Sequence, residues 1–208
     1  MPGTPQDGEE WIDGFLFVGN RLILDFLNTN PVLADGPTEL LPDVHALERW
    51  LIAAGLVCSP RQRALLRTWR NSARAAAFLR QLVAFRERLR AAVMRMEKGL
   101  LPSTAFVSEV NSLARQYPLH TVLSEQDSKL VRMATFDPRE PEDFWAPIVA
   151  ATAELLSEPD IARLRQCESC VLHFLDTSKK GSRRWCSMNI CGNKIKVAAY
   201  RKRQQRPN

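Results

Sequence analysis

Residues 167–191 read CESCVLHFLDTSKKGSRRWCSMNIC, a C-x2-C-x15-C-x4-C pattern. Two thiolates so close supply two corners of a tetrahedron, and the second pair closes it from the far side of a loop. Soft sulfur favours zinc over hard cations. The spacing therefore predicts one structural Zn2+ held by Cys167, Cys170, Cys186 and Cys191, in a site closed to substrate. Two other thiol chemistries fit less well. A redox CxxC sits at a helix N-terminus in a βαβ context, which this pattern lacks. An iron–sulfur cluster calls for an electron-transfer partner that nothing in the chain indicates. His173 lies three residues past Cys170 and is a spare ligand that four cysteines make unnecessary. Cys58, alone between two helical patterns, is expected to be a buried thiol.

Inside the cysteine stretch, Phe174 and Leu175 read as the small apolar plug of a metal-stabilised module, and Asp176-Thr-Ser turns the chain. Lys179-Lys-Gly-Ser-Arg-Arg184 then forms an exposed basic loop, and Trp185 is expected to pack on the site. Beyond Cys191, Gly192 allows a tight backbone approach. Asn193 is a candidate N-cap for a helix starting at Lys194, whose first turn favours an anion such as phosphate. The segment KIKVAAYRKR has no clean apolar stripe, as suits a helix lying along a nucleic-acid backbone.

Charge points the same way. From Ile161 onward the chain carries twelve lysines and arginines against Glu168 and Asp176, a net charge of +10. The first 160 residues hold 17 basic and 21 acidic residues, a net charge of −4. An acidic body with a strongly basic tail is the outline of a polyanion binder. The candidate nucleic-acid contacts are Lys179, Lys180, Arg183, Arg184, Lys194, Lys196, Arg201, Lys202 and Arg203.

Upstream, the body reads as mostly helical. FLFVGNRLILDFLNT (15–29) is either a short hairpin turning at Gly19-Asn20 or a strand leading into a short helix from Leu22. Val44, Leu47, Leu51 and Ala54 recur at helical spacing after Asp43, with Gly55 as a stop. Ser59-Pro60 signals the next helix start. Phe78, Leu82, Phe85, Leu89, Val93 and Met96 form the clearest apolar stripe, ended by Gly99 and Pro102. Another helix runs through Phe106, Val110 and Leu113. LHTVLS (119–124) and KLVRMATF (129–136) alternate as a hairpin joined by Glu125-Gln126-Asp127-Ser128. A last core helix spans 141–156, begun or kinked at Pro147, and Ile161-Ala-Arg-Leu is a short helical link into the cysteines.

On two stretches the chain resembles known families. FLDTSKKGSRRWCSMNICGNKIK (174–196) is similar to the CGNR zinc finger of bacterial proteins, and FVGNRLILDFLNT (17–29) resembles the ABATE-type domain that precedes that finger. The resemblance implies a stress-induced transcription regulator, with a helical domain that is a candidate ligand sensor followed by a DNA-binding zinc ribbon. The family motif ends in arginine where this chain has Lys194. Charge survives there, but the bidentate fork to guanine or phosphate does not.

The expected fold is mainly α: an ABATE-like helical domain over residues 12–158 with one or two small β-hairpins, then a small treble-cysteine, zinc-ribbon-like CGNR module over 161–206 with a basic C-terminal helix. The expected function is zinc-dependent DNA binding in transcription regulation, with RNA or ribosome binding as the alternative. Asp25, Asn28 and Thr29 are the candidates for an effector pocket, and a homodimer would engage two half-sites. Catalysis is not expected, since the three histidines are scattered and no nucleophile motif, phosphate loop or carboxylate pair appears. No apolar run is long enough for a membrane span, and the polar, acidic start lacks a signal peptide, so the expected location is the cytoplasm.

Overall fold

The computed structural model describes residues 10–33, 36–193 and Val197. The chain opens with a minimal hairpin, β1 (Trp11–Ile12) and β2 (Phe15–Leu16). Its turn is Asp13-Gly14, where both residues have positive φ. Gly19-Asn20 instead leads into α1 (Leu22–Leu27), so strand-then-helix is the correct reading of this segment. A second minimal ladder pairs β3 (Val32–Leu33) with β4 (Gly36–Pro37). Two residues per strand are too few to leave an alternation in the sequence.

Helices α2 (Val44–Ala53) and α3 (Pro60–Trp69) start where their capping residues stand. The Asp43 carboxylate accepts the Ala46 N–H, and Ser59 with Gln62 forms a reciprocal capping box ahead of Pro60. Cys58, in the linker between them, is exposed rather than buried, with its thiol on the Gly55 carbonyl at 3.1 Å. Helix α4 (Ala73–Met96) buries the whole stripe Phe78, Leu82, Phe85, Leu89, Val93 and Met96. Each such side chain contributes about 1.5–3 kcal/mol through burial. Helix α5 (Thr104–Gln116) lies against it through Phe106, which stacks on Phe85.

The hairpin of β5 (His120–Gln126) and β6 (Lys129–Thr135) follows. Its loop is only Asp127-Ser128, both left-handed at φ 50° and 59°, a type I′ geometry that matches strand twist. A 3-10 turn over Pro141–Phe144 runs into α6 (Trp145–Leu156). Pro147 sits in the first turn of α6, where a missing N–H costs no internal bond. Trp145 packs edge-on against both Phe78 and Phe85, joining α6 to α4 in one apolar core.

After a short 3-10 link at Ile161–Arg163, β7 (Leu164–Gln166) pairs with β8 (His173–Leu175). The first cysteine pair lies in the bend between these strands. A π-type turn over Met188–Gly192 carries the last cysteine. Ser187 caps this turn, its hydroxyl accepting from the Asn189 and Ile190 amides. Asn193 is helical at φ −67°, ψ −38° and is therefore no N-cap. The expected basic C-terminal helix, with Lys194, Lys196, Arg201, Lys202 and Arg203, falls outside the described residues.

A candidate metal centre docked on the helical body

The four cysteine sulfurs come together with every Sγ within 4.8 Å of the others. Cys186 lies 3.7 Å from Cys170 and 3.8 Å from Cys191. A tetrahedron of sulfurs about 2.3 Å from zinc has edges of roughly 3.8 Å, so the cluster has the dimensions of a ZnS4 site. It is too open for any disulfide.

The thiols also show why a cation belongs there. Hydrogen bonds from Cys170 and Cys186 favour a Cys167 thiolate. The same contacts push Cys170 up to about 12 and Cys186 well above the usual thiol range. Several thiolates at this separation repel one another unless a divalent charge sits between them. With four sulfur donors and no open position, the residues hold one structural zinc ion. His173 is not part of this ligand group, which the four cysteines make up; its Nδ1 lies 2.7 Å from Glu97 at the end of α4.

Packing around the sulfurs is dense on one side. Leu16, Val18, Leu172 and Phe174 bury Cys167, Cys186 and Cys191, with Trp185 and Ile190 partly buried beside them. Phe174 thus faces the metal cluster, while Leu175 faces the helical core, an alternation that follows from the strand pleat. Gly192 is needed for space rather than for φ. A Cβ there would stand 2.5 Å from both the Met188 sulfur and Trp185 Cδ1.

The outer edge of β8 is where the body grips this module. The Asn28 side chain accepts the His173 N–H at 3.0 Å and donates to the His173 carbonyl at 2.9 Å. Gly19 accepts the Leu175 N–H at 2.9 Å, and the Asn20 amide donates to the Leu175 carbonyl at 2.8 Å. All four outward backbone groups of His173 and Leu175 are thereby satisfied, as a neighbouring strand would satisfy them. Gly19 is in turn pinned by α1. Its N–H donates to Asp25 Oδ1 at 2.7 Å, and a Cβ on it would meet Leu24 Cβ at 2.6 Å.

Asp25, Asn28 and Thr29, the candidates for an effector pocket, lie inside the fold. They are buried and turned inward, and their hydrogen bonds go to protein atoms. Thr29 donates to the Phe26 carbonyl at 2.7 Å and accepts from buried Arg86 at 2.8 Å. Arg86 also forks onto Glu39. Burial pushes the Asp25 carboxyl up to about 7, against the lowering effect of the Gly19 and Val18 amides. The docking roles of Gly19, Asn20 and Asn28 escaped sequence reading, because their partners lie about 150 residues away and no local pattern marks them.

The candidate nucleic-acid residues divide by environment. Lys179 and Lys180 are exposed on a loop organised by Asp176, which is fully buried and accepts the Ser178 and Arg183 amides at 2.9 and 2.8 Å. Burial raises the Asp176 carboxyl, but these bonds outweigh it and hold the group below the usual carboxylate range. Arg163 ties the same loop to the link before β7 through the Asp176 and Ser178 carbonyls. Arg183 faces inward, over the Phe174 ring and onto the Cys186 carbonyl. It braces the metal loop. Arg184 is exposed, stacked on Trp185 at 4.8 Å and paired with Glu168.

No helix among the described residues is long and apolar enough to cross a membrane. Two family models match the sequence: a CGNR zinc finger over residues 163–204 and ABATE, described as "Putative stress-induced transcription regulator", over residues 20–159. No curated protein matches it. The ABATE model covers well over half of the chain, and the protein belongs to that family, its helical body clasping a CGNR zinc finger along β8.

Proposed function

We propose that the protein is a DNA-binding transcription regulator whose zinc module contacts the nucleic acid. The observation that carries this reading is the segregation of charge: +10 after Ile161 against −4 before it. The exposed Lys179 and Lys180, held beside the metal centre by Asp176, provide a fixed phosphate-binding edge. Lys194, Lys196, Arg201, Lys202 and Arg203 extend the cationic surface in this proposal, and Arg184 joins it by exchanging Glu168 for phosphate. Arg183 acts as scaffold. The body acts as the regulatory platform of a bacterial, cytoplasmic stress response, with no catalytic step of its own.

Duplex DNA binding should weaken steeply with salt and vanish on Cys186→Ser or after zinc chelation. Replacing Lys179 and Lys180 together with alanine should reduce the log–log salt slope by about two. Binding that persists in the metal-free protein would refute the proposal. Structured RNA outcompeting duplex DNA at physiological salt would establish the alternative, an RNA-binding zinc protein.

A further inference from the structure

The β5–β6 hairpin stands apart from the rest of the fold. Among the described residues it forms a two-stranded sheet with no third strand, and of its fourteen strand residues only Ser124 and Val131 are half-buried. Leu123 and Leu130 are 69% and 73% exposed, and Val122 and Met133 are above 40%. A lone two-stranded hairpin is marginal in water, and an open edge with apolar side chains invites pairing. This one leaves Val122, Leu123, Leu130 and Met133 exposed among polar neighbours. Its two edges, however, are not equivalent.

The two-residue type I′ loop makes Gln126 and Lys129 the hydrogen-bonded closing pair. With the observed register, pairs then alternate along the ladder. The backbone groups of Thr121, Leu123 and Glu125 point outward from β5, and those of Leu130, Arg132 and Ala134 point outward from β6. On β6 a two-fold axis through Arg132 would set that arginine against its own copy, a repulsive pair. Cations on Lys129 and Arg132 thus guard this edge, a common defence against edge pairing.

The β5 edge is self-complementary. A two-fold axis at Leu123 places Leu123 opposite its copy and Thr121 opposite Glu125 of the second molecule, twice by symmetry. Every outward N–H and C=O of these three residues then finds a partner, and no like charges oppose. On the other face, Val122 stands opposite Ser124 of the second copy. The row Met133, Val122, Ser124, Val131 then runs unbroken across four strands as a mainly apolar stripe.

We infer that the protein associates with a second copy of itself through antiparallel β5–β5 pairing centred on Leu123, forming a four-stranded sheet. The inference does not rest on nucleic-acid binding, although a two-fold assembly carrying two zinc modules would suit a two-half-site target. The interface is at the small end of specific contacts, so its dissociation constant falls on the order of micromolar.

Sedimentation equilibrium of the zinc-loaded full chain over about 1–200 μM tests it across that range. A monomer–dimer equilibrium is expected. Thr121→Glu opposes Glu125 twice and should weaken the dimer roughly five- to tenfold. Adding Glu125→Lys to Thr121→Glu should restore it. Leu123→Pro removes an outward N–H without removing a bond between β5 and β6 and should leave monomer. Zinc content and circular dichroism confirm that each variant is folded. A monomer throughout, a dimer indifferent to Thr121→Glu and Leu123→Pro, or a failure of the double variant to restore association would each overturn the pairing.

Discussion

Asn28→Ala isolates the joint between the helical body and the zinc module. Asn28 is 1% exposed, and its amide makes two bonds to the His173 backbone, at 2.9 and 3.0 Å. Truncation leaves a buried N–H and a buried C=O without partners in a space too small for bulk water. Each stranded group costs about 1–3 kcal/mol, so the substitution should cost about 2–6 kcal/mol in all. For a chain of this size that corresponds to a loss of roughly 4–24 °C in melting temperature. Because structural zinc binding and folding of its module are one equilibrium, the loss should also appear as weaker zinc retention, at least about tenfold in competition with a chelator. Urea unfolding of the zinc-loaded protein reads the first quantity and chelator titration the second. Asn30→Ala, which removes only a 3.3 Å contact to Glu39, should change stability by less than about 0.5 kcal/mol. If Asn28→Ala unfolds at the wild-type urea concentration and holds zinc equally well, β8 is not held by its outer edge and the reasoning fails.

Three further outcomes are expected. Gly192→Ala forces a Cβ to within 2.5 Å of Trp185 and Met188; overpacking of about 1–3 kcal/mol should loosen zinc retention, and a variant with wild-type retention would show that the loop relaxes freely. Asp176→Ala should release the basic loop, read as faster tryptic cleavage at Lys179 and Lys180 with the body intact. The third concerns pH: the Asp25 carboxyl is raised from 3.8 to about 7, so the folded state binds its proton more tightly than the unfolded state. Its stabilising contribution is complete below about pH 4 and lost as pH rises to 7. Asp25→Asn should flatten the stability profile in that window. Glu39 and Asp176 are lowered and act oppositely, their contribution being lost as pH falls through the acid range. A wild-type profile in Asp25→Asn between pH 4 and 7 would refute the assignment.

Particular elements show where sequence reasoning reached. The α4 stripe and the caps at Asp43 and Ser59 were legible because helical periodicity and capping chemistry are local, acting within a few residues. The same locality left one point open and misled at another. Gly19-Asn20 fitted a hairpin turn as well as an entry into the helix at Leu22; the structure makes it the entry, with Asn20 a docking residue and the hairpin turn at Asp13-Gly14. Asn193 looked like an N-cap, but Ser187 starts that turn earlier, with Cys191 already inside it. Cys58 was expected to be buried on residue type alone, and its linker position left it exposed.

By itself the sequence determined the metal centre, since four cysteines at ligand spacing carry their chemistry without reference to the rest of the fold. It also determined the helical character of the body and the separation of acidic from basic charge. Only the tertiary structure decided what the polar residues of the N-terminal motif are for. Gly19, Asn20 and Asn28 satisfy a strand edge about 150 residues away, and Asp25 braces Gly19 from behind. Buried backbone groups must find partners wherever the fold brings them, and that pairing is written in three-dimensional proximity rather than in residue spacing.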